Sequence, residues 1–277
     1  YGVSPGRRTV IVTNNDDAYR TALTLNDAGL EVPAILDARP TSDGPLAQAA
    51  RAAGVRVLTG KAIAKVKGHS RVKGIAVCDQ TGDGTVLEQI ACDTVAMSGG
   101  WSPVVHLWSH CGGKLAWDAE TGQFNPDPTK PPTGADGEAF VRTAGAASGK
   151  GTAQDCLEDA RTAGQGSVGA KSPATRLPSC SEELPAPIQP SWIMPANAAT
   201  KARSKMWRDF QNDVKVSDVE LAAQEGFESV EHTKRYTTLG MATDQGKLSN
   251  INGLALLSKA SNEDIPAVGT TTFRPPY

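Results

Sequence analysis

The sequence predicts an α/β fold, with a nucleotide-binding domain first and a small helical subdomain after it. Strand and helix patterns alternate over residues 9–58, and three short strand patterns follow over 62–92. Alternation of this kind is typical of a parallel sheet covered by helices, and the three later strands add an antiparallel meander. Helix-start signals after residue 205 indicate the helical subdomain.

The first strand and helix have clear local signals. Residues 9–13 are β-branched and apolar, which favours a strand. Asn and Asp at 14–17 supply turn and N-cap chemistry, and the apolar spacing over 18–28 predicts a helix that ends at Gly29. A second strand is predicted at 31–37.

The rest of the first domain is predicted to contain one more helix and five more strands. The patterns predict a helix at 45–53, a strand at 55–58, meander strands at 62–66, 71–78 and 86–92 with a hairpin turn at 81–85, and a strand at 93–98 that runs into Gly99 and Gly100.

Patterns in the second half are weaker. Residues 112–139 are typical of loops, 140–149 of a strand that enters a Gly/Ala turn, and 152–163 of a helix. Ser217 and Glu220 form a capping-box pattern for a helix that ends at Gly226, and another helix is predicted at 229–237. The chain after Asn252 reads as irregular apart from a short Leu-rich piece at 254–258.

We therefore expect a first domain at 1–163, a linker at 164–204, the helical subdomain at 205–252 and a second linker at 253–277.

Composition excludes several classes of protein. The 277 residues carry a net charge of −2, which does not suit a nucleic-acid or membrane-surface binder. The five cysteines are scattered and never form a CxxC pair, so we expect reduced thiols and a cytoplasmic protein. The chain begins at Tyr1 without Met, and we expect it to be an internal piece of a longer polypeptide.

Two segments of the first domain are candidate nucleotide-binding sites. The first βα turn lacks GxGxxG, but Asp37 ends the second strand, where a carboxylate can bind a ribose hydroxyl. The alternative is a degenerate half that keeps the fold without the ligand. Ser98, Gly99 and Gly100 would let backbone N–H groups approach a ligand, with Trp101 beside a flat ring; the alternative is a tight turn with a packed Trp.

Two further patterns are candidate ligand sites, one for an anion and one for a metal ion. A glycine-rich turn before the predicted helix at 152 resembles an anion cradle, in which free N–H groups favour a phosphate. Its candidate residues are Gly145, Ala146, Ala147 and Gly149. His106 and His110 are four apart, as metal ligands on a helix are, but no HExxH pattern accompanies them, which favours surface or packed histidines.

The densest set of hydrogen-bonding groups lies at 231–247. This stretch holds His, Lys, Arg, Tyr, Thr, Asp and Gln side chains, together with glycines that permit close backbone approach. We expect it to face a cofactor beside a partner subunit. The candidate contacts are Arg235, Thr237, Thr238, Gln245 and Lys247.

The stretches 98–107, 231–247 and 268–276 resemble the alpha subunits of heterotetrameric sarcosine oxidases. The resemblance implies a partial two-dinucleotide-binding domain of the FAD/NAD(P) type, whose GxGxxG half lies upstream. It implies NAD on the alpha subunit, FMN at the interface with the beta subunit, and FAD in the beta subunit. Partners would be the beta, gamma and delta subunits, with tetrahydrofolate bound by an aminomethyltransferase-like domain downstream.

The implied reaction is oxidative demethylation of sarcosine. Oxygen is consumed, and glycine, hydrogen peroxide and methylenetetrahydrofolate are formed. The amine site would lie in the beta subunit, so no residue of this chain is expected to be catalytic. The 231–247 stretch is then expected to contact FMN.

The helical subdomain is similar to the ferredoxin-like 2Fe–2S domains of related dehydrogenases. The four cysteine positions of those domains fall on Asp209, Gln211, Asp244 and Ser249 here. Because oxygen and amide groups do not replace thiolates, we expect no iron–sulfur cluster. Two alternatives to a sarcosine oxidase subunit stay open. One is a non-catalytic scaffold, and the other is a related FMN-dependent amino-acid or opine dehydrogenase subunit, against which the missing cysteines argue.

Overall fold

The computed structural model describes residues 3–168, 176–181 and 188–271. These residues form two compact units. The first comprises the described residues up to 101 together with 188–202, and the second comprises 102–181 and 203–271. The domain limits predicted at 163, 204 and 252 stay predictions.

A parallel sheet is the centre of the first unit. Its strands are β1 (Thr9–Thr13), β2 (Ile35–Asp37), β3 (Val57–Thr59) and β7 (Thr94–Ser98), in the order β3-β2-β1-β7. All three neighbouring pairs run parallel, so every strand ends at the same edge. The α/β prediction is confirmed.

Each face of this sheet is covered by a different layer. Helices α1 (Asp17–Asp27) and α2 (Pro45–Ala52) pack on one face, where Ile11, Tyr19 and Ile35 are buried. The other face packs on an antiparallel sheet of β4 (Lys61–Gly68), β5 (Val72–Asp79) and β6 (Glu88–Ile90). Both faces of β1 are therefore buried, which explains its uninterrupted apolar sequence.

The second strand is shorter than predicted. It begins at Ile35 instead of residue 31, and Glu31 makes only an isolated bridge to Arg8. Pro33 lies between the two and has no N–H to donate to a ladder, so regular pairing starts after it.

The second unit begins with a short helix and a hairpin. Helix α3 (His106–His110) precedes strands β8 (Leu115–Asp118) and β9 (Gln123–Pro126), which pair antiparallel where we predicted only loops. The hairpin is held by two contacts that single-residue patterns do not reveal. Asp118 accepts from the turn N–H of Glu120 at 2.9 Å, and the Trp117 and Phe124 rings lie 4.9 Å apart across the strands.

The predicted strand at 140–149 is wrong. A 3₁₀ turn (Gly145–Ser148) occupies its second half, and Phe140 in its first half is exposed. Helix α4 (Ala153–Val168) follows and extends beyond its predicted end at 163. Among the described residues nearby, the only β-bridge joins Thr133 and Ala139. The segment predicted as a strand therefore has no neighbouring strand with which to pair.

The rest of the unit is a small hairpin and a helical cluster. Strands β10 (Trp207–Asp209) and β11 (Val214–Lys215) lead into helix α6 (Val216–Gln224), and α7 (Val230–Thr237) and α8 (Asn250–Ser261) complete it; a short α5 (Thr200–Arg203) lies at the boundary of the units.

Two predictions about this cluster need correction. Helix α6 starts earlier than the capping box suggested: Asp218, in place of Glu220, accepts the N–H of Lys215 at 2.8 Å. Glu220 pairs with Arg203 at 2.8 Å. The supposedly irregular chain after Asn252 belongs to α8, whose Leu254–Leu257 stretch is buried. Tertiary burial thus stabilises a helix whose local signals are weak.

None of the described helices combines the length and apolar character that crossing a bilayer requires. All five cysteines are free thiols.

A buried ionic cluster lies where the strands of the first unit end. The Arg39 guanidinium donates to Asp16 at 2.7 Å and to Asp37 at 2.7 Å, and all three side chains are at most 5% exposed. Burial alone lowers the pKa of Arg39, but its hydrogen bonds to Asp37 and Asp16 outweigh burial and raise it overall. Tyr19 donates to Asp37 at 2.7 Å, and burial raises its pKa. The cluster ties α1 to the ends of β1 and β2.

Replacing Arg39 by Met should strongly destabilise the first unit. The substitution leaves two buried carboxylates without their cation, which costs about 3–5 kcal/mol in comparable cases. Urea denaturation of the purified chain measures the loss. Arg56→Met is the matched control, because its pair with Glu88 is largely solvent-exposed and contributes about 0–1 kcal/mol. Equal losses in the two variants would contradict a special role for the cluster.

Candidate functional site

The strand ends of the first unit are joined by side-chain hydrogen bonds. Asn15 donates through its amide to the Ser98 carbonyl and hydroxyl, each at 3.1 Å, and Thr13 donates to the same carbonyl at 3.1 Å. Asn15 is buried, so its side chain fills the space between the ends of β1 and β7. In a dinucleotide-binding sheet this space admits the ligand.

Asp37, which was expected to bind a ribose hydroxyl, is bound by internal partners, and its contact with a ribose stays a prediction. Its carboxylate is fully buried and accepts from Tyr19, from the Arg39 guanidinium and from the Arg39 N–H at 2.9 Å. A ribose hydroxyl needs an accessible oxygen, and Asp37 offers none in this arrangement. The ribose site was predicted from a carboxylate at the end of a strand. In the folded chain this carboxylate is bound by Arg39, which lies two residues later.

The first βα turn also lacks the features of a pyrophosphate site. Asp16 and Asp17 stand at the N-terminus of α1, where a phosphate would otherwise meet free N–H groups. Their carboxylates already supply negative charge there, and Asp16 is paired with Arg39. The residues at this edge therefore do not fit a dinucleotide.

The Gly-Gly-Trp turn after β7 differs from a packed turn. A Cβ on Gly99 would meet nothing within 4 Å, whereas one on Gly100 would clash with Ile188. Trp101 is 78% exposed, and its indole N–H donates to Asp17 at 2.6 Å. The exposed ring is not part of the core, and its contact with a ligand stays a prediction.

The predicted anion cradle is filled from inside the chain. Asp159 of α4 accepts the Gly145 N–H at 2.8 Å and the Ser148 hydroxyl. Within the turn, Gly149 donates to the Ala146 carbonyl and Lys150 donates to the Gly145 carbonyl, each at 3.2 Å. A Cβ at Gly149 would crowd Asn125. The Asp159 carboxylate therefore takes the Gly145 N–H that was expected to donate to a phosphate, and anion binding by this turn stays a prediction.

A polar pocket of about 430 Å³ lies in the second unit. Most of its lining comes from α7, the loop after α7 and the chain near 270, with one residue from α3. The lining residues are His110, Glu231, Lys234, Arg235, Gly240, Met241, Gln245, Thr270 and Thr271. We call this set the polar pocket.

Two of the five predicted contacts line the polar pocket, Arg235 and Gln245. Thr237 instead donates to the Thr233 carbonyl at 2.7 Å, and Thr238 is the left-handed C-cap of α7. Lys247 lies outside the lining, and its charge acts on His106. The two threonines thus shape the end of the helix, while Arg235 and Gln245 line the cavity.

Sequence reasoning missed most of the other lining residues. Lys234 precedes Arg235 and donates to Thr271 at 2.9 Å, and the Thr run at 270–272 was a signal that could have been used. His110 had no local signal, because it enters from a segment more than a hundred residues earlier. Its neighbour His106 lies 6.1 Å away between ring centres, and burial, followed by His110, lowers the pKa of His106.

Loop 240–246 is held by the side chains at the expected cysteine positions. Asp209 is buried and accepts the Gly240 N–H at 2.9 Å, and Gln211 accepts the Thr243 N–H at 2.9 Å. Asp244 accepts the Gly246 N–H at 3.3 Å. The buried Ser249 hydroxyl has no hydrogen-bond partner among the described residues. Asp209, Gln211 and Asp244 thus stabilise the loop by direct hydrogen bonds. Across the described ranges, no three His, Cys, Asp or Glu side chains are placed to hold a metal ion.

Comparison with known proteins connects the second unit to one family. Residues 203–277 match the model described as "Sarcosine oxidase A3 domain". Over its whole length, the chain is 39% identical to "Sarcosine oxidase subunit alpha" of Rhizobium meliloti (strain 1021), of which it covers 26%. It is 34% identical to the subunit of the same description from Corynebacterium sp. (strain P-1), of which it covers 28%.

The chain belongs to the sarcosine oxidase alpha-subunit family. It spans about a quarter of the length of the curated relatives it matches.

A solved structure supports the fold. The L-proline dehydrogenase of P. horikoshii aligns with 99% of this chain and 49% of its own chain, at a TM-score of 0.53 and 15% identity. At this identity the likeness concerns the fold alone.

The Gly145 amide should report the ionisation of Asp159. The Ser148 hydroxyl and then the Gly145 N–H hold the pKa of Asp159 below its ordinary value. The contact is therefore fully stabilising above about pH 3.9 and is lost as the pH falls through the lowered pKa. The Gly145 amide resonance should titrate below about pH 3.9. Asp159→Asn should abolish the titration and Glu158→Gln should keep it; persistence in Asp159→Asn would assign the effect to another group.

The purified protein should contain iron and acid-labile sulfide far below one cluster per chain. The side chains at positions 209, 211, 244 and 249 carry oxygen or amide groups, which are poor ligands for a 2Fe–2S cluster. Colorimetric iron and sulfide assays on protein expressed with added iron measure this. Stoichiometric amounts of both would show that the prediction is wrong.

Proposed function

We propose that this chain is part of the alpha subunit of a sarcosine-oxidising flavoprotein complex and that its polar pocket contacts FMN at the interface with the beta subunit. The observation that carries the proposal is the polar pocket itself. Lys234, Arg235 and Gln245 face one cavity, and all three lie in the stretch for which a cofactor contact was expected. Charge-assisted donors of this kind suit a phosphate-bearing cofactor.

The proposed reaction is the oxidative demethylation of sarcosine to glycine, with oxygen as the acceptor. Hydrogen peroxide is formed, together with methylenetetrahydrofolate when tetrahydrofolate is present. FAD in the beta subunit would take up the electrons of the amine, and FMN would pass electrons on to oxygen. The gamma and delta subunits complete the proposed cytoplasmic complex.

The residues of this chain would bind and position FMN and would not touch the amine. Arg235 and Lys234 supply positive charge, and Gln245 supplies an amide beside the glycine of the loop, Gly240. The hydrogen bond from Lys234 to Thr271 keeps the ammonium group directed. The family resemblance also implies NAD, but the strand ends of the first unit do not fit it. NAD in the proposed complex would then need residues outside the present sequence.

A scaffold role for the first unit is the second candidate, and a specific observation favours it. In this unit Arg39 pairs with Asp37, so an internal side chain occupies one of the places where a nucleotide was expected. A unit of this kind would serve to dock neighbouring parts of the complex. The test is to extract nicotinamide from the full-length complex and from its Asp37→Asn and Gly99→Ala variants. Stoichiometric nicotinamide in the native complex and less of it in either variant would contradict the scaffold role.

Arg235→Ala in the full-length complex should lower the FMN content. Loss of a hydrogen bond between charged groups costs about 1.5–3 kcal/mol, or roughly 10- to 150-fold in affinity. FMN and FAD are extracted and quantified, and anaerobic reduction of FAD by sarcosine is followed separately. That reduction should not change, because the polar pocket does not touch the amine. Lys247→Met should have a smaller effect, because Lys247 is outside the lining.

Lys259→Ala is the charge-matched control. Lys259 is exposed in the last turn of α8 and does not line the pocket. Normal FMN content and oxygen turnover in Arg235→Ala would count against the proposed function.

A further inference from the structure

Which part of FMN faces the polar pocket can be inferred from its lining. Met241 is its only apolar side chain, and none of the described lining residues except His110 carries a ring. Sites for flat heteroaromatic rings are usually lined by apolar and aromatic side chains. The nearby ring of Tyr236 is not in the lining and packs on Phe227, with ring centres 4.6 Å apart. The pocket therefore does not suit the flavin ring.

The charges of the pocket suit a single phosphate. Lys234 and Arg235 provide two positive charges and Glu231 provides one negative charge. Partial negative charge at the C-terminus of α7 opposes an anion, but it amounts to only about half a charge. One net positive charge favours a phosphomonoester, while the Glu231 carboxylate disfavours the larger charge of a diphosphate.

The two cations are also placed for a shared anion. Lys234 has three donors, and its 2.9 Å bond to Thr271 sets the direction of the ammonium group at the pocket wall. Arg235 is exposed on the same turn of α7 and presents a planar fork that matches phosphate oxygens. The hydroxyl of Thr270 lies in the same lining.

The remaining polar groups suit hydroxyls. Glu231 is a strong acceptor, Gln245 has an amide oxygen as well as its N–H₂ group, and that group already donates to the Ala242 carbonyl at 2.7 Å. Acceptors beside a pair of cations are the groups that recognise a polyol phosphate. FMN carries such a polyol phosphate in its ribityl phosphate arm.

We infer that the polar pocket receives the ribityl phosphate arm of FMN and leaves the flavin ring outside. Lys234 and Arg235 contact the phosphate, and Glu231 and Gln245 accept from ribityl hydroxyls. This assignment rests on the proposed function, because it takes FMN as the ligand. It adds that the pocket selects a monophosphate and a polyol and makes no contribution to ring binding.

Competition binding to the full-length complex depleted of FMN tests the assignment. The probes are FMN, riboflavin and ribitol phosphate, and calorimetry or flavin fluorescence measures their affinities. Ribitol phosphate should compete with FMN in the native complex. Arg235→Ala should weaken FMN and ribitol phosphate alike, by roughly 10-fold or more, and should leave riboflavin unchanged.

Two further variants separate charge from structural damage. Arg235→Lys keeps the positive charge and should recover much of the affinity for ribitol phosphate. Glu231→Gln removes the negative charge and should strengthen binding of inorganic phosphate by roughly 2- to 5-fold, in line with an exposed charge pair. Lys259→Ala should match the native complex, and circular dichroism checks that each variant is folded.

The outcomes distinguish this inference from the proposed function. If Arg235→Ala weakens riboflavin as much as FMN, the ring lies at the pocket and the inference is wrong while the FMN site stands. Failure of ribitol phosphate to compete also overturns the inference alone. If FMN binds equally well to the native complex and to Arg235→Ala, both the inference and the proposed function fail.

Discussion

Carboxylates that accept backbone N–H groups are the interaction on which both units depend. Asp93 accepts from Arg7 and Arg8, at 3.0 and 2.9 Å, and so joins the start of β1 to the segment before β7. Asp159 and Asp209 do the same for the glycine turns of the second unit. A turn without such a partner leaves polar groups unsatisfied when it is buried. Among the described residues, these acidic side chains therefore stabilise turns that bound anions or metal clusters stabilise in other folds.

The parts of the fold that were predictable are those with local signals. The pattern of 9–13 and the cap residues of α1 lie in one continuous stretch, and the sheet was expected from them. The hairpin of β8 and β9 depends on a cross-strand ring pair and on the Asp118 turn contact, and α8 depends on burial of Leu254–Leu257 against other helices. Both are consequences of tertiary contacts, which a single sequence does not display.

In the candidate site, too, residues with a local sequence signal were predictable and the others were not. Arg235 and Gln245 belong to a dense polar stretch and were identified from it. His110 and Thr271 reach the pocket from distant parts of the second unit, so only the folded chain reveals them. Asp37 and Gly145 have a feature in common, and their contacts with a ligand stay predictions. Each has the local pattern of a ligand site, but a side chain elsewhere, Arg39 or Asp159, already occupies it.

The Arg39 cluster has a consequence for ligand access to Asp37. An internal partner two residues from Asp37 is present at an effective concentration that a diffusing nucleotide does not reach. Arg39 thus acts as a tethered competitor for the Asp37 carboxylate.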